Sequence, residues 1–167
     1  MRKLPLPPPV LLCAAALVLA LRSGFAADEE TDEVARLHRS GSSAQAVQLA
    51  DKILAVRPKD AQMKFLKGVV LAESQRPAEA IGVFEELTAD FPELAEPYNN
   101  LATLHAAKGD FERARVALEQ ALRNNPSYAT ALENLGDVHG MLASRAYARA
   151  MALDPANLRL PSKLALV

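Results

Sequence analysis

Cysteine and tryptophan are almost absent from this sequence of 167 residues, which contains one cysteine, no tryptophan and 5% aromatic residues in all. The one cysteine, Cys13, lies in an apolar run near the N-terminus. The remainder of the chain can therefore form no disulfide and has no thiol for catalysis or metal binding. A fold of this composition has to be stabilised by packing alone, and its many alanine and leucine side chains favour closely packed helices.

An excess of positive charge is also missing, since 19 Lys and Arg stand against 20 Asp and Glu. Three of the basic residues, Arg2, Lys3 and Arg22, lie before residue 27, which leaves 16 basic and 20 acidic residues, a net charge of −4, in the remainder. Phosphate binding requires clustered positive charge, so no nucleic acid partner is expected.

The segment 1–26 has the pattern of a secretory signal peptide. Arg2 and Lys3 are followed by a twelve-residue apolar run, VLLCAAALVLAL, and by small residues at Gly24 and Ala26. This pattern predicts cleavage after Ala26 and export to the periplasm. Twelve apolar residues are too few to cross a bilayer, which needs about 20, so no stable membrane insertion is expected after cleavage. Retention of the segment as an anchor is the alternative.

A 34-residue period runs through the remaining sequence. Prolines recur at this spacing, alanines keep the same step, and small residues form a third column. The three columns are Pro58, Pro92 and Pro126; Ala46, Ala80 and Ala114; and Gly68, Ala102 and Gly136. A fixed period of about 20–50 residues is typical of solenoids, in which each repeat is one supersecondary unit.

Each repeat has the sequence of two helices joined by a turn. In the stretch 95–126, apolar residues recur at three- and four-residue steps on both sides of Gly109. Gly109 permits a positive φ after the first helix, and Asp110 is predicted to cap the second. In the first repeat, Gly41 and Ser42 are predicted to take these two roles.

The repeat resembles the tetratricopeptide repeat family, with a small residue in the first helix, glycine at the turn, alanine in the second helix and proline at the end. The resemblance covers about Thr31 to Pro155. The segments FPELAEPYNNLATLHAAKGDFERA and NPSYATALENLGDV are also similar to small exported repeat proteins of proteobacteria. The resemblance implies an all-α fold, a right-handed α-solenoid of three to four helix-turn-helix repeats. It implies units at about 27–60, 61–94, 95–128 and 129–157, within a domain over residues 27–160.

The fourth unit is shortened, because the step from Pro126 to Pro155 is 29 instead of 34. It contains no turn sequence, and its apolar positions step by three or four without a break. This pattern predicts a single long helix from Tyr128 to Leu153, with a tight bend near Gly140 as the alternative. Residues 158–167 form an apolar tail that is predicted to cap the open end of the stack.

A curved stack of helix pairs exposes a concave face lined by the first helices. Aligned by the repeat, the residues predicted to contact a peptide there are Phe65, Val69, Asn99, Asn100, Thr103, Asn134 and Asp137. Asn100 and Asn134 occupy the same repeat position, where their amides either grip the peptide groups of an extended segment or hydrogen-bond between units. Acidic residues on this face favour a basic or neutral segment, and a cationic clamp for a C-terminal carboxylate is not expected.

Catalytic, metal and cofactor sites are not predicted. No set of His, Cys or carboxylate residues has metal-ligand spacing, and no glycine-rich phosphate loop is present. Ser42 and Ser43 are interpreted as having no histidine partner near in the sequence. His105 and His139 share one repeat position and are predicted to pack between paired helices. The resemblance implies no enzymatic activity.

The sequence therefore predicts a non-catalytic protein-interaction module or adaptor that binds a peptide segment of another protein. The alternative is a self-associating structural protein, a homodimer in which two chains pair through the last helix by way of Leu142, Tyr147 and Met151.

Overall fold

The computed structural model describes residues 29–157 and 159–166. The predicted signal peptide, residues 1–26, lies outside the described residues, as does Leu158 of the apolar tail. Every regular element in the described ranges is an α-helix, which confirms the predicted fold class. The helices are α1 (29–39), α2 (Ser43–Val56), α3 (Ala61–Glu73), α4 (Pro77–Asp90), α5 (Ala95–Ala107), α6 (Phe111–Asn124), α7 (Ala129–Leu153) and α8 (Leu160–Leu164).

The second helices of the repeats, α2, α4 and α6, carry the alanine column. Ala46, Ala80 and Ala114 have no exposed surface, because a first helix packs closely against each of them. The largest fully buried side chains, among them Phe84, Met63, Leu71 and Leu118, fill the space between the helices. The repeat column therefore marks the places where the backbones of the two layers approach each other.

The turns between paired helices repeat one backbone conformation at 34-residue spacing. Gly41, Gln75 and Gly109 all have positive φ, at 81°, 60° and 76°. The role predicted for Gly109 is confirmed, and Gln75 adopts the same conformation at a cost of about 1 kcal/mol for a residue with a Cβ. The repeated geometry thus outweighs the local preference of the residue.

The predicted helix caps have different outcomes. Asp110 accepts a hydrogen bond from the backbone N–H of Arg113 at 3.2 Å, as predicted. Ser42 makes no side-chain capping bond, so the prediction for Ser42 was wrong. Its ψ of 44°, against 71° for Asp110, is further from the extended backbone that directs a capping side chain onto the free N–H groups of the helix.

The fourth unit is one uninterrupted helix. α7 extends over 25 residues, from Ala129 to Leu153, with Tyr128 at its N-cap. This confirms the predicted long helix and excludes the bend near Gly140, where the backbone stays helical. No helix in the described ranges is long and apolar enough to cross a membrane.

The C-terminal tail covers only part of the open end. α8 packs on α7, where Leu160 is buried and the Lys163 ammonium lies 5.8 Å from the centre of the Tyr147 ring. Leu166, however, is 83% exposed. The tail therefore forms a short helix beside α7, and its last leucine makes no contribution to a cap.

Candidate functional site

The first helices of successive repeats lie side by side on one face of the solenoid. α3 and α5 border a hollow of about 290 Å³ on this face. Phe65 lines the hollow, and its ring packs edge-on against Phe84, with 5.8 Å between the ring centroids and 62° between the ring planes. The other lining residues are Ala61, Gln62, Leu94, Glu96 and Pro97. The hollow is therefore mainly apolar and has one exposed carboxylate at its edge.

Phe65 and Val69 also stabilise the fold. Both side chains are half-buried, and both pack against the core shared by the first three repeats. Their remaining exposed surface is available to a ligand. Because substituting either would change packing and binding together, they are poor positions at which to test binding.

The asparagines at the shared repeat position make different contacts. Asn134 donates through Nδ2 to Oδ1 of Asn99 at 2.9 Å, which joins α7 to α5. Asn100 donates through Nδ2 to the carbonyl oxygen of Glu96 in its own helix, at 3.0 Å. Of the two alternatives left open for these amides, Asn134 thus takes the bond between units. Asn99 is 8% exposed, so its amide is used mainly for the hydrogen bond with Asn134.

Thr103 and Asp137 lie at the exposed part of the same face. Thr103 donates its hydroxyl hydrogen bond to the carbonyl oxygen of Asn99 at 3.0 Å. Asp137 is exposed and, within the described ranges, makes no ion pair. The seven predicted residues are thus brought to neighbouring first helices, with Phe65 and Val69 on α3 and the polar five on α5 and α7.

The charge of this face is negative, because its exposed carboxylates are unpaired, whereas the lysines of α3 pair with carboxylates of the second helices. Lys64 pairs with Asp90 at 2.5 Å and Lys67 with Asp51 at 2.7 Å. The hydrogen bond from Lys64 lowers the pKa of Asp90 below its usual value. The exposed carboxylates of Glu96, Glu133 and Asp137 have no cationic partner among the described residues.

The pKa of Tyr128, at the end of the face, is affected by this negative charge. Burial raises the pKa of the Tyr128 hydroxyl, and the nearby Glu96 carboxylate raises it further. The phenol therefore remains protonated and can act as a hydrogen-bond donor throughout the physiological pH range.

Leu94 and Pro97 line the hollow but were not among the predicted contact residues. Leu94 lies in the loop before α5, whereas the prediction took only positions within the first helices. Pro97 belongs to a column at 34-residue spacing with Met63 and Ala131, and all three are buried. This apolar column is the signal in the sequence that could have identified Pro97.

A histidine does lie beside Ser43, contrary to the sequence interpretation. Nδ1 of His38 is 3.0 Å from Oγ of Ser43, and Nε2 is 2.5 Å from a carboxylate oxygen of Glu73. The Glu73 side chain is 61% exposed, so solvent screens this contact. The group links the first repeat to the second across α1, α2 and α3.

The two histidines at one repeat position have different environments. His105 is buried between helices, as predicted, with 8% of its surface exposed. His139 is exposed, so the prediction for it was wrong. The reason is that the fourth unit has no separate second helix to cover it. No group of three or more potential metal ligands occurs in the part of the chain that the structure describes.

A second hollow of about 530 Å³ lies between α5 and α6 and was not predicted. Its walls include Tyr98, Leu101 and Val116, and arginines stand at its rim. One of these, Arg115, is held by Glu112 and Glu119 at 3.1 and 2.5 Å. Arginines therefore surround this hollow, whereas unpaired carboxylates lie on the face formed by the first helices.

Comparison with models of known protein families identifies the family of this chain. Two models described as tetratricopeptide repeat match it, one over residues 35–95 and the other over residues 71–135. The chain belongs to the tetratricopeptide repeat family. The two matches together extend from α1 into α7, so they include both the hollow at Phe65 and the amide pair that joins α5 to α7.

Similar proteins share the repeat over different lengths. The TPR repeat-containing protein YvcD of Bacillus subtilis is 38% identical over 65 residues, which is 39% of this chain. The chain spans only 13% of the length of YvcD.

Solved structures show the same fold. The MamA protein superposes with a TM-score of 0.65 at 21% identity, over 86% of this chain and 81% of MamA. The first tetratricopeptide domain of Spaghetti (RPAP3), bound to the HSP90 peptide SRMEEVD, has a TM-score of 0.64 at 16% identity, over 68% of this chain and 90% of that domain.

Proposed function

We propose that this chain is a non-catalytic interaction module of the bacterial periplasm that binds an extended segment of another protein along the face of its first helices. One observation carries the proposal: the apolar hollow at Phe65 adjoins the exposed carboxylate of Glu96, which has no ionic partner among the described residues. An apolar hollow and unpaired charge on one face together offer an anchor and a selective rim.

The ligand that fits this face is a basic segment with one large apolar side chain. The hollow of about 290 Å³ has room for one such side chain. Glu96 stands at its edge, and Glu133 and Asp137 continue the negative charge on α7. Lysine or arginine residues that flank the apolar anchor would therefore lie opposite carboxylates.

The HSP90 peptide bound by RPAP3 has a different charge. That peptide, SRMEEVD, contains three acidic residues and one basic residue. An acidic peptide would meet Glu96, Glu133 and Asp137 here, while Lys64 and Lys67 are already paired with aspartates. The shared fold therefore supports peptide binding, and the charge of this face favours a ligand of the opposite sign.

Selection from a displayed library of random peptides tests the proposal. We expect the peptides retained by the chain to be enriched in Lys and Arg around one large apolar residue. The variant Glu96→Lys, Asp137→Lys should bind a selected peptide about tenfold more weakly, since each exposed ion pair contributes about 0.2–1 kcal/mol and reversal adds repulsion. Binding is measured by fluorescence anisotropy of a labelled peptide.

The matched control is Glu85→Lys, Glu86→Lys on α4. Both side chains are exposed, so this variant makes the same change of net charge away from the first helices. Equal losses in the two variants would show an effect of net charge alone and would contradict binding at the proposed face. Selection of acidic peptides would contradict the proposed ligand.

The proposed location has its own test. Export predicts that the protein recovered from bacteria begins at Ala27, because the apolar run and the small residues before it form a cleavable signal. The mass of the intact protein from a periplasmic fraction measures this directly. A chain that keeps the segment 1–26 and is found in the membrane fraction would contradict the proposal and favour the anchor.

A further inference from the structure

α7 is a complete fourth repeat whose two helices have been fused into one. Within its first half, the 34-residue register continues from Lys64 and Tyr98 to Leu132. In the second half the step is 29 residues, so Ala143 takes the repeat position of Ala114, and Pro155, which follows the helix, takes that of Pro126. The five missing positions correspond to the three-residue turn and one residue on each side of it, 107–111 in the third repeat, while the alanine position and the packing positions after it remain.

The face that the second helix covers in other repeats is open in the first half of α7. Leu132 is 52% exposed, and His139 is exposed as well. A Cβ atom built on Gly68 would lie 2.7 Å from the Phe84 ring of its own second helix, whereas one built on Gly136, at the same repeat position, has no heavy atom within 4 Å. The partner helix is therefore absent at this position.

The second half of α7 carries the residues that would cover this face. Tyr147 is the register counterpart of Phe84, and Leu153 is the counterpart of Asp90. In the second repeat, Asp90 contacts Lys64, whose counterpart is Leu132. The two exposed leucines at opposite ends of α7, Leu132 and Leu153 (79% exposed), are thus the pair that meets when the two helices of a repeat pack together.

One chain cannot make these contacts with itself. On a continuous helix, Leu132 and Leu153 are separated by roughly 31 Å, and Gly136 and Tyr147 by roughly 16 Å. Without the turn, the second half of α7 cannot fold back onto the first half. A shortened hinge of this kind favours exchange of the element between two copies.

We propose that two copies of this chain pair through α7 by reciprocal exchange, each supplying the second helix of the other's fourth repeat. The two α7 helices lie antiparallel about a twofold axis near Met141 and Leu142. Leu132 of one copy then contacts Leu153 of the other, and Tyr147 packs on Gly136 across the interface. Gly140, which has no heavy atom within 4 Å of a built Cβ, permits close approach next to the crossing point.

The size and character of the interface suit a dimer. α7 is about 37 Å long, and both of its halves are used by each copy, so most of its seven turns are covered. Together with α8 and the adjoining end of α6, the number of residues that each copy contributes approaches the roughly 20–30 per side of a stable interface. Apart from His139, the seam of Leu132, Gly136, Ala143, Tyr147, Ala150 and Leu153 has no titratable charge near neutral pH. In the dimer, Lys163 of α8 moves away from the Tyr147 ring, and the ring contacts the partner copy instead.

Cross-linking distinguishes this pairing from other arrangements. In the full chain with Cys13→Ser, the double variant Leu132→Cys, Leu153→Cys should give a covalent dimer in high yield with a short bismaleimide. Each single cysteine variant should remain uncross-linked, because equivalent positions lie at opposite ends of the antiparallel pair. Val56→Cys with Leu153→Cys is the control, since Val56 is 83% exposed and lies far from α7 in the sequence.

Restoring the turn provides the second test. Insertion of the sequence AKGDF, which occupies 107–111 of the third repeat, between Gly140 and Met141 should produce a monomer by light scattering. Its Leu132→Cys, Leu153→Cys form should then cross-link within one chain. The proposal is overturned if the unaltered chain is a monomer at its highest soluble concentration, if the single variants cross-link as well as the double, or if the insertion variant remains a dimer.

Discussion

Phe84→Ala is expected to lower the free energy of unfolding by about 3–5 kcal/mol, the range for truncation of a buried aromatic side chain. The Phe84 side chain has no exposed surface, packs edge-on against Phe65 at 5.8 Å between centroids, and lies over Gly68. Its removal leaves a cavity that the two paired helices cannot close without separating. Urea denaturation followed by circular dichroism measures the loss.

Phe91→Ala is the matched control for this truncation. Phe91 follows α4 and is half-buried at the edge of the same core, so it loses less packing when it is shortened. We expect a clearly smaller loss for Phe91→Ala than for Phe84→Ala. Equal losses would mean that the Phe84 ring is not the central contact between α3 and α4.

Gly68→Ala is expected to lower the free energy of unfolding by about 1–3 kcal/mol, although alanine is the better helix former by about 1 kcal/mol. The added Cβ would lie 2.7 Å from two carbon atoms of the Phe84 ring. This ring is fully buried and held by Phe65, so it cannot turn away, and the helices have to move apart. The same denaturation experiment measures the effect.

Gly82→Ala provides the comparison, since it makes the same substitution inside α4. A Cβ on Gly82 has no heavy atom within 4 Å, so only the gain in helix propensity remains. We expect this variant to be more stable than the unaltered chain by about 0.5–1 kcal/mol. A gain at both glycines would contradict the close approach of the Phe84 ring to α3.

The candidate face was predicted by register, and its contacts were not. The 34-residue spacing was sufficient to assign Phe65, Asn100 and Asn134 to the first helices. It could not show that Asn134 bonds to Asn99 while Asn100 bonds to Glu96 in its own helix, because these contacts depend on the distance between α5 and α7. The hollow at Phe65 likewise depends on Leu94, a loop residue outside the helical pattern.

The environments of the two histidines were likewise beyond what the repeat register could predict. His105 and His139 have the same place in the repeat, and the repeat alone predicts one environment for both. Only the course of the chain after each histidine separates them: a turn and a second helix cover His105, whereas α7 continues straight past His139. Burial is a property of the neighbouring element, which a single repeat position does not contain.

The sequence by itself determined the helices, the period and the fusion of the fourth repeat, because these follow from local spacing: apolar steps of three and four, glycine at the turns and the loss of five positions before Pro155. Tertiary structure alone decided which carboxylates remain unpaired, where the apolar hollow lies and which face of α7 is left open. These features arise from distances between helices, which depend on side-chain packing across the repeats.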